Sequence, residues 1–428
     1  MSGFRVGVIG GGSTYTPELI EGFIERREEL PVSRITLMDI DQTKLDIVGG
    51  LSQRMAKRAG IETEVVLTTD RRQALEGADF VISQLRVGGL EGRARDEGIP
   101  LEFNVIGQET TGPGGFAMAL RTIPVMLDIA REMETLSPSG WLINFTNPSG
   151  LIAEAINRYS RVRVIGLCNA PITLRNRIAA LFGVDGERIQ MDYLGLNHLS
   201  WVRKVYLDGR DITRDVLAKI MDGGATDLPG YAFNKKLLQA LRMIPNGYLQ
   251  YYYHTDKVLE KMQRAEKSRA EVVMDIEQEL LQLYQDPNLK EKPKVLEQRG
   301  GAFYSEAAAA LISAIVNNKN EVHIVNVPNR GTLKGLPDEA VVEVPALVNR
   351  SGARPLVIGE MPLAVRGLVQ AVKAYEELTV EAAVTGGREV ALLALVAHPL
   401  VPTVDVAERL VGRILEANRA YLPQFEQG

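Results

Sequence analysis

The stretch Arg5-Val6-Gly7-Val8-Ile9-Gly10-Gly11-Gly12-Ser13-Thr14-Tyr15-Thr16-Pro17 decides the fold. A short β-type run stops at three consecutive glycines, and Pro17 to Arg27 continues at helical spacing with Leu19, Ile20 and Phe23 on one side. The glycines allow a tight turn and close backbone approach, so a pyrophosphate can rest on the N-terminus of the helix. Gly10, Gly11, Gly12, Ser13 and Thr14 are therefore candidate cofactor contacts, although Tyr15 stands where the usual fingerprint has its third glycine. Ile35-Thr36-Leu37-Met38 reads as the second strand and closes at Asp39. A carboxylate there accepts hydrogen bonds from the adenosine ribose hydroxyls, which favours NAD over its phosphorylated form.

Outward from this unit, Lys44 to Ala59 is helical, Glu64 to Leu67 and Phe80 to Leu85 are strands, and Arg71 to Leu75 between them is helical. Gly114 to Leu136 reads as a long amphipathic helix, Trp141 to Phe145 as a strand, Ser149 to Tyr159 as a helix, and Val162 to Leu167 as a strand ending at Cys168. Strands alternating with helices imply an α/β fold, a Rossmann-type parallel sheet wound on both faces. This domain is expected to span residues 1–168, followed by a mixed α/β, helix-rich catalytic and oligomerisation domain over 169–428. Ligands gather beyond the carboxyl ends of such strands, so Asp39, Arg86, Asn147 and Cys168 are expected to converge on one crevice. In the second half, Ile189 to Leu194, Trp201 to Tyr206, Val322 to Val327 and Ala340 to Val348 read as strands, the last two joined by a turn at Pro328 to Gly331. Asp256 to Tyr284, Ser305 to Val316 and Leu363 to Ala397 read as helical, and Asp222-Gly223-Gly224-Ala225 is the nearest thing to a linker.

The 428 residues are 45% hydrophobic and 24% charged with a formal net charge of -5, which suits a soluble globular protein with a large core. Lys and Arg are scattered, so no nucleic-acid or membrane-surface partner is expected. No apolar run approaches the roughly 18 residues needed to span a bilayer, and a cytoplasmic protein is the expectation. The single cysteine excludes an intramolecular disulfide and leaves Cys168 as a small hydrophobe, a nucleophile or a metal ligand. Downstream of a nucleotide loop, Cys168 together with His198 suggests an enzyme that combines a nicotinamide cofactor with a divalent metal.

Six motifs carry a more specific message: Gly10-Gly11-Gly12-Ser13, Gln84-Leu85-Arg86-Val87-Gly88-Gly89, Gly107 to Gly115, Asn144-Phe145-Thr146-Asn147-Pro148, Cys168-Asn169 and Gly195-Leu196-Asn197-His198. In this order they resemble glycoside hydrolase family 4, and among its members those that cleave 6-phospho-β-glucosides. Asn246 to Tyr252, Arg299 to Ser305 and Leu336 to Pro345 extend the resemblance across the chain. It implies a lactate/malate dehydrogenase-like architecture and an NAD- and usually Mn²⁺-dependent glycosidase, outside the paired-carboxylate mechanism. In such an enzyme NAD⁺ takes hydride from C3 of the sugar, the ketone acidifies C2, a base removes that proton, the aglycone is eliminated, water adds, and the hydride returns.

The resemblance also implies roles. Cys168 and His198 match the metal ligands, leaving positions open for sugar oxygens and water. By softness this pair suits Zn²⁺ better than Mn²⁺, so the choice of Mn²⁺ over another divalent metal rests on the resemblance. Tyr248 matches the base, with Tyr251, Tyr252 and Tyr253 as competitors, and a phenol needs a nearby cation to work at neutral pH. Arg86 and Asn147 match positions near the 6-phosphate and the sugar, Asn144 borders the nicotinamide, and Glu109 lies near the metal and the reacting hydroxyls. Asn169 stands where α-specific members resemble one another in placing an acid, which favours β-linked substrates such as cellobiose 6-phosphate. A homodimer or homotetramer is expected, and His254, His323 and His398 have structural roles. The rivals are a 6-phospho-α-glucosidase, α-galactosidase or glucuronidase of the same family, a lactate/malate-type dehydrogenase, and a non-catalytic NAD or sugar-phosphate sensor.

Overall fold

Val6 and Val8 are 2% and 0% exposed, because the strand that carries them, β1 (Phe4–Ile9), is hydrogen-bonded on both edges and covered on both faces. The computed structural model describes residues 3–223, 233–299 and 304–426. Around β1 stand β2 (Val32–Met38), β3 (Glu64–Thr68), β4 (Phe80–Ser83), β5 (Trp141–Asn144) and β6 (Arg163–Gly166), all parallel, in the order β6-β5-β4-β1-β2-β3. The order reverses between β1 and β4, so two connections leave in opposite directions and open a crevice at their carboxyl ends. Helix α1 (Thr16–Glu25) follows the glycine turn, and α2 (Gln42–Ala59) is capped by Asp41, whose carboxylate accepts from Lys44 N–H at 3.0 Å.

The sheet does not stop at Cys168. Beyond β6 it gains Glu321–Pro328, Val341–Asn349 and Gly352–Pro355, all antiparallel, for nine strands in total. The hairpin read at Pro328 to Gly331 is present, with Glu321 opposite Val348 and Pro328 opposite Val341. The second half thus completes the sheet that the first half begins. A separate hairpin, β7 (Ile189–Leu196) and β8 (Leu199–Leu207), turns through two residues, Asn197 and His198, and His198 has a left-handed φ of 62°.

Several helices have no apolar stripe to announce them. After α3 (Arg71–Leu75) comes α4 (Gly89–Leu101), which buries Gly92, Asp96 and Glu97 as well as Ile99. Its partner is polar: Arg121, fully buried in α5 (Gly112–Leu136), donates to both Asp96 oxygens at 2.7 Å and to Asn418 Oδ1 at 2.9 Å. Helix α6 (Ser149–Tyr159) is followed, past β6, by α7 (Asn169–Phe182), and Cys168 is its N-cap, with Sγ accepting from Ala170 N–H at 3.4 Å. The Leu363 to Ala397 segment is two helices, Leu363–Thr385 and Arg388–Ala397, broken at Gly386 with φ 71°. In the linker reading, Gly224 and Ala225 lie outside the described residues. No helix among the described residues is long and apolar enough to cross a membrane.

His398, buried beside the edge of the Tyr375 ring, accepts from Leu400 N–H through Nδ1 at 3.1 Å. That bond fixes a neutral tautomer, with Nε2 3.4 Å from Tyr252 Oη, and burial lowers the imidazole to about 3. The unfolded chain takes up this proton below about pH 6.5 and the folded chain does not until about pH 3, so stability falls as pH falls through that window. Urea midpoints between pH 7.5 and 5 should record a slope approaching about 1.4 kcal/mol per pH unit from this group, flattened in His398→Gln.

Candidate active site

Strand ends supply the site. Gly10 N–H and Gly11 N–H both donate to Met38 O, at 2.9 and 2.7 Å, pinning the glycine turn against the end of β2. Gly10 has φ 91°, which suits glycine. A Cβ on Gly11 would lie 2.8 Å from Leu37 Cβ, and one on Gly12 would lie 2.9 Å from the Asp39 carboxylate. Asp39 Oδ2 accepts from Gly12 N–H at 2.9 Å, which leaves the carboxylate beside the turn with lone pairs to spare. From β4, Gln84 Nε2 donates to Gly10 O at 3.1 Å and to Thr16 Oγ1 at 2.7 Å, holding the turn from the other side.

These groups border a crevice of about 700 Å³ whose walls include Gly10, Gly12, Ser13, Asp39, Arg86 and Asn147. Its glycine cradle and ribose-level carboxylate fit a dinucleotide. Asn147 Oδ1 is buried there without a hydrogen-bond partner, an acceptor kept for a ligand. Thr14 and Asn144 lie deeper, both 0% exposed. The Asn144 amide is spent inside the protein, Oδ1 accepting from Ser83 Oγ at 2.8 Å and Nδ2 donating to Thr146 O at 3.1 Å, so it stitches β4 to the loop that carries Asn147.

Cys168 is not among the residues that line this crevice; it is among those that line a second hollow, of about 810 Å³. A run of polar contacts leads from the crevice wall toward its sulfur. Arg86 pairs with Glu109 at 2.6 Å, Arg93 pairs with the other Glu109 oxygen at 3.2 Å, and Thr110, next in sequence, meets His198. Burial raises the Glu109 carboxyl, but Arg86 and Arg93 more than offset it and leave it below its ordinary value, so it stays charged. Arg299 also lines the crevice; the rest of its motif, residues 300–303 and the side chains of 304 and 305, lies outside the described residues.

Cys168 Sγ and His198 Nε2 stand 3.3 Å apart, with their residues 4% and 5% exposed. The Thr110 hydroxyl donates to Gln108 Oε1 at 2.9 Å, so its oxygen accepts from His198 Nδ1–H, also at 2.9 Å. Nε2 therefore carries the lone pair toward the sulfur, the tautomer a metal ligand requires. Burial lowers His198 to about 4, which keeps it neutral, and the α7 N-terminus favours negative charge at Cys168. Among the described residues no cluster of three or more His, Cys, Asp and Glu forms, so a cation here takes its remaining ligands from elsewhere. Sulfur and imidazole with open positions fit a catalytic metal.

The tyrosines separate by position. The Tyr248 ring stacks on His198 with centroids 3.7 Å apart and planes at 4°. Tyr251 is one ring further out, 6.1 Å from Tyr248; Tyr252 turns to His398, and Tyr253 packs on Phe233. Burial, then the charge of Cys168, pushes the Tyr248 phenol well above its ordinary value. Asn169, the first residue of α7, sits beside the sulfur, its Oδ1 4.0 Å from Sγ. Gln84, Arg93 and Thr110 are the residues that sequence reasoning left without a role. Gln84 and Thr110 lay inside quoted motifs, whereas Arg93 had no signal beyond its charge.

The chain matches the model for Family 4 glycosyl hydrolase over residues 5–184 and that for the Family 4 glycosyl hydrolase C-terminal domain over 193–401. A "Probable 6-phospho-beta-glucosidase" of Bacillus subtilis (strain 168) is 47% identical over 99% of this chain and 98% of its own. A 6-phospho-beta-glucosidase of Escherichia coli (strain K12) is 42% identical, covering 98% and 96%. The solved 6-phospho-beta glucosidase from Thermotoga maritima with manganese, NAD+ and glucose-6-phosphate is 38% identical, with a TM-score of 0.91 over 98% of this chain and 99% of that one.

The glycine turn has no room to spare, so Gly11→Ala must displace β2 backbone. It should cost about 1–3 kcal/mol, read as a lower denaturation midpoint.

Proposed function

Because the chain belongs to family 4 of the glycosyl hydrolases, we infer that it is an NAD- and divalent-metal-dependent 6-phospho-β-glucosidase, acting on β-glucoside 6-phosphates such as cellobiose 6-phosphate. The observation that carries this reading is the buried meeting of Cys168 Sγ with His198 Nε2 under the Tyr248 ring, one ion-pair relay away from a dinucleotide-shaped crevice. A cytoplasmic homodimer or homotetramer belongs to the same reading.

The pyrophosphate would pack against the turn formed by Gly10, Gly11, Gly12 and Ser13, where the missing glycine side chains allow close approach to the start of α1, with Thr14 supporting the turn from beneath and Asp39 holding the ribose. Asn144 fixes the loop on which Asn147 reaches the sugar. Arg86 presents a guanidinium fork to the 6-phosphate dianion, and Arg299 adds a second positive charge to the same crevice. Cys168 and His198 hold the metal. When bound, NAD supplies a reversible hydride acceptor for the sugar ring, and Mn²⁺ or another divalent metal supplies a Lewis-acid charge beside the Tyr248 phenol.

Tyr248 Oη takes the proton from C2 of the glucose ring. The phenol is otherwise too weakly acidic to exist as phenolate, so the base is switched on only beside positive charge. Glu109, held as a carboxylate by Arg86 and Arg93, balances that charge and would accept from a sugar hydroxyl that approaches it. Asn169 cannot donate a catalytic proton, which is the residue-level reason to prefer the β-linked substrate over the α-linked one.

Incubation with p-nitrophenyl β-glucoside 6-phosphate, NAD⁺ and Mn²⁺ should release nitrophenol without accumulating NADH, and chelation should stop it. NADH rising in step with product would mark a dehydrogenase, and silence on both channels a sensor. Deuterium at C2 should slow cleavage or wash out into solvent; full retention at an unchanged rate would remove Tyr248 from its role.

A further inference from the structure

Beneath the Asn197–His198 turn lies a carboxylate that the proposed chemistry does not use. Glu343, in the strand Val341–Asn349, is 0% exposed. Its Oε1 accepts from Asn197 Nδ2 at 3.0 Å and from Asn326 Nδ2 at 3.3 Å, and its Oε2 accepts from Tyr193 Oη at 2.8 Å. Tyr193 Oη lies 2.5 Å from Ser200 Oγ, and Asn246 Nδ2 donates to both oxygens, at 3.3 and 3.2 Å. Asn246 Oδ1 then accepts from Tyr248 N–H at 3.1 Å, while Asn246 N–H donates to Ser200 O at 2.9 Å.

Two loops end on this one carboxylate. The first is the tight turn in which His198 has φ 62°, a conformation that a non-glycine residue keeps only where its surroundings over-determine it. The second begins at Asn246 and carries Tyr248. Backbone pairing of Ile244 and Pro245 with Val202 and Trp201 brings the two segments side by side, and the buried side-chain network joins them beyond that ladder, where their rings stack at 3.7 Å. Among the described residues no cationic side chain pairs with Glu343, so a fold selected for stability alone would do as well with apolar residues throughout this cluster.

We propose that Glu343 is a positioning residue for the reaction: through Asn197, and through Tyr193, Ser200 and Asn246, it sets His198 and Tyr248 against each other from below. This rests on reading His198 as a metal ligand and Tyr248 as the base. The argument is geometric, with one buried acceptor holding the donors of two loops whose functional side chains must stay in register within fractions of an ångström.

The test uses three near-isosteric or truncating variants of the full chain: Glu343→Gln, Asn197→Ala and Asn246→Ala. Mn²⁺ affinity is read by electron paramagnetic resonance in the presence of NAD⁺, kcat and KM with the nitrophenyl substrate, and NAD⁺ affinity by fluorescence. N197A should weaken Mn²⁺ binding by about 10–100-fold, N246A should lower kcat by about tenfold with Mn²⁺ binding kept, and E343Q should do both. In all three, NAD⁺ affinity and KM should stay within about threefold of the parent, since the crevice is untouched. Folded variants with parental Mn²⁺ affinity and kcat, whatever their Tm, overturn the proposal. If the parent itself neither binds Mn²⁺ nor cleaves the substrate, the functional reading fails instead. The crystal structure of E343Q then decides the positioning claim: a displaced His198–Tyr248 stack supports it, and an unmoved one overturns it.

Discussion

The contact between Cys168 and His198 joins two parts of the chain that no local interaction brings together, and the rest of the site is organised around it. Cys168 is fixed because a parallel strand ends where its neighbours end and the next helix begins at once, with the sulfur as cap. His198 is fixed by a hairpin that stands on the antiparallel extension of the same sheet. The nine strands are therefore more than a scaffold for the nucleotide crevice. Their first six place the sulfur, and the hairpin supported by the later ones places the imidazole against it.

Charge is distributed around this contact so that each group keeps the state its role needs. Two arginines hold Glu109 ionised, burial keeps His198 neutral, and a helix N-terminus favours negative sulfur. Only the Tyr248 phenol is left in its inactive form by the protein alone. On the proposed reading, in which Tyr248 is the base, it would idle until a cation and a substrate are both in place, guarding against stray proton removal.

What could be read from residues alone follows a physical divide. The glycine turn and Asp39 were legible because a strand, a steric requirement and a carboxylate fall within one short stretch. The six parallel strands were legible because strands buried on both faces are continuous apolar runs. Helix α4 was not, because it buries Asp96 and Glu97 against Arg121 and so lacks an apolar stripe. Thr110 acts only through the hydroxyl bond to Gln108 that sets a tautomer, and Glu343 through partners 17 to 150 positions away, so neither leaves a local pattern. Ring geometry separates the four clustered tyrosines by position, with Tyr248 stacked on His198, and spacing does not encode that.

That late-coming strands close the sheet also governs how the molecule is made. As the polypeptide leaves the ribosome, the β6 edge that will pair with Asn326 has no neighbour until the chain has been extended past Pro328. During that interval the nascent chain carries a naked strand edge, the template on which unrelated chains pair and precipitate.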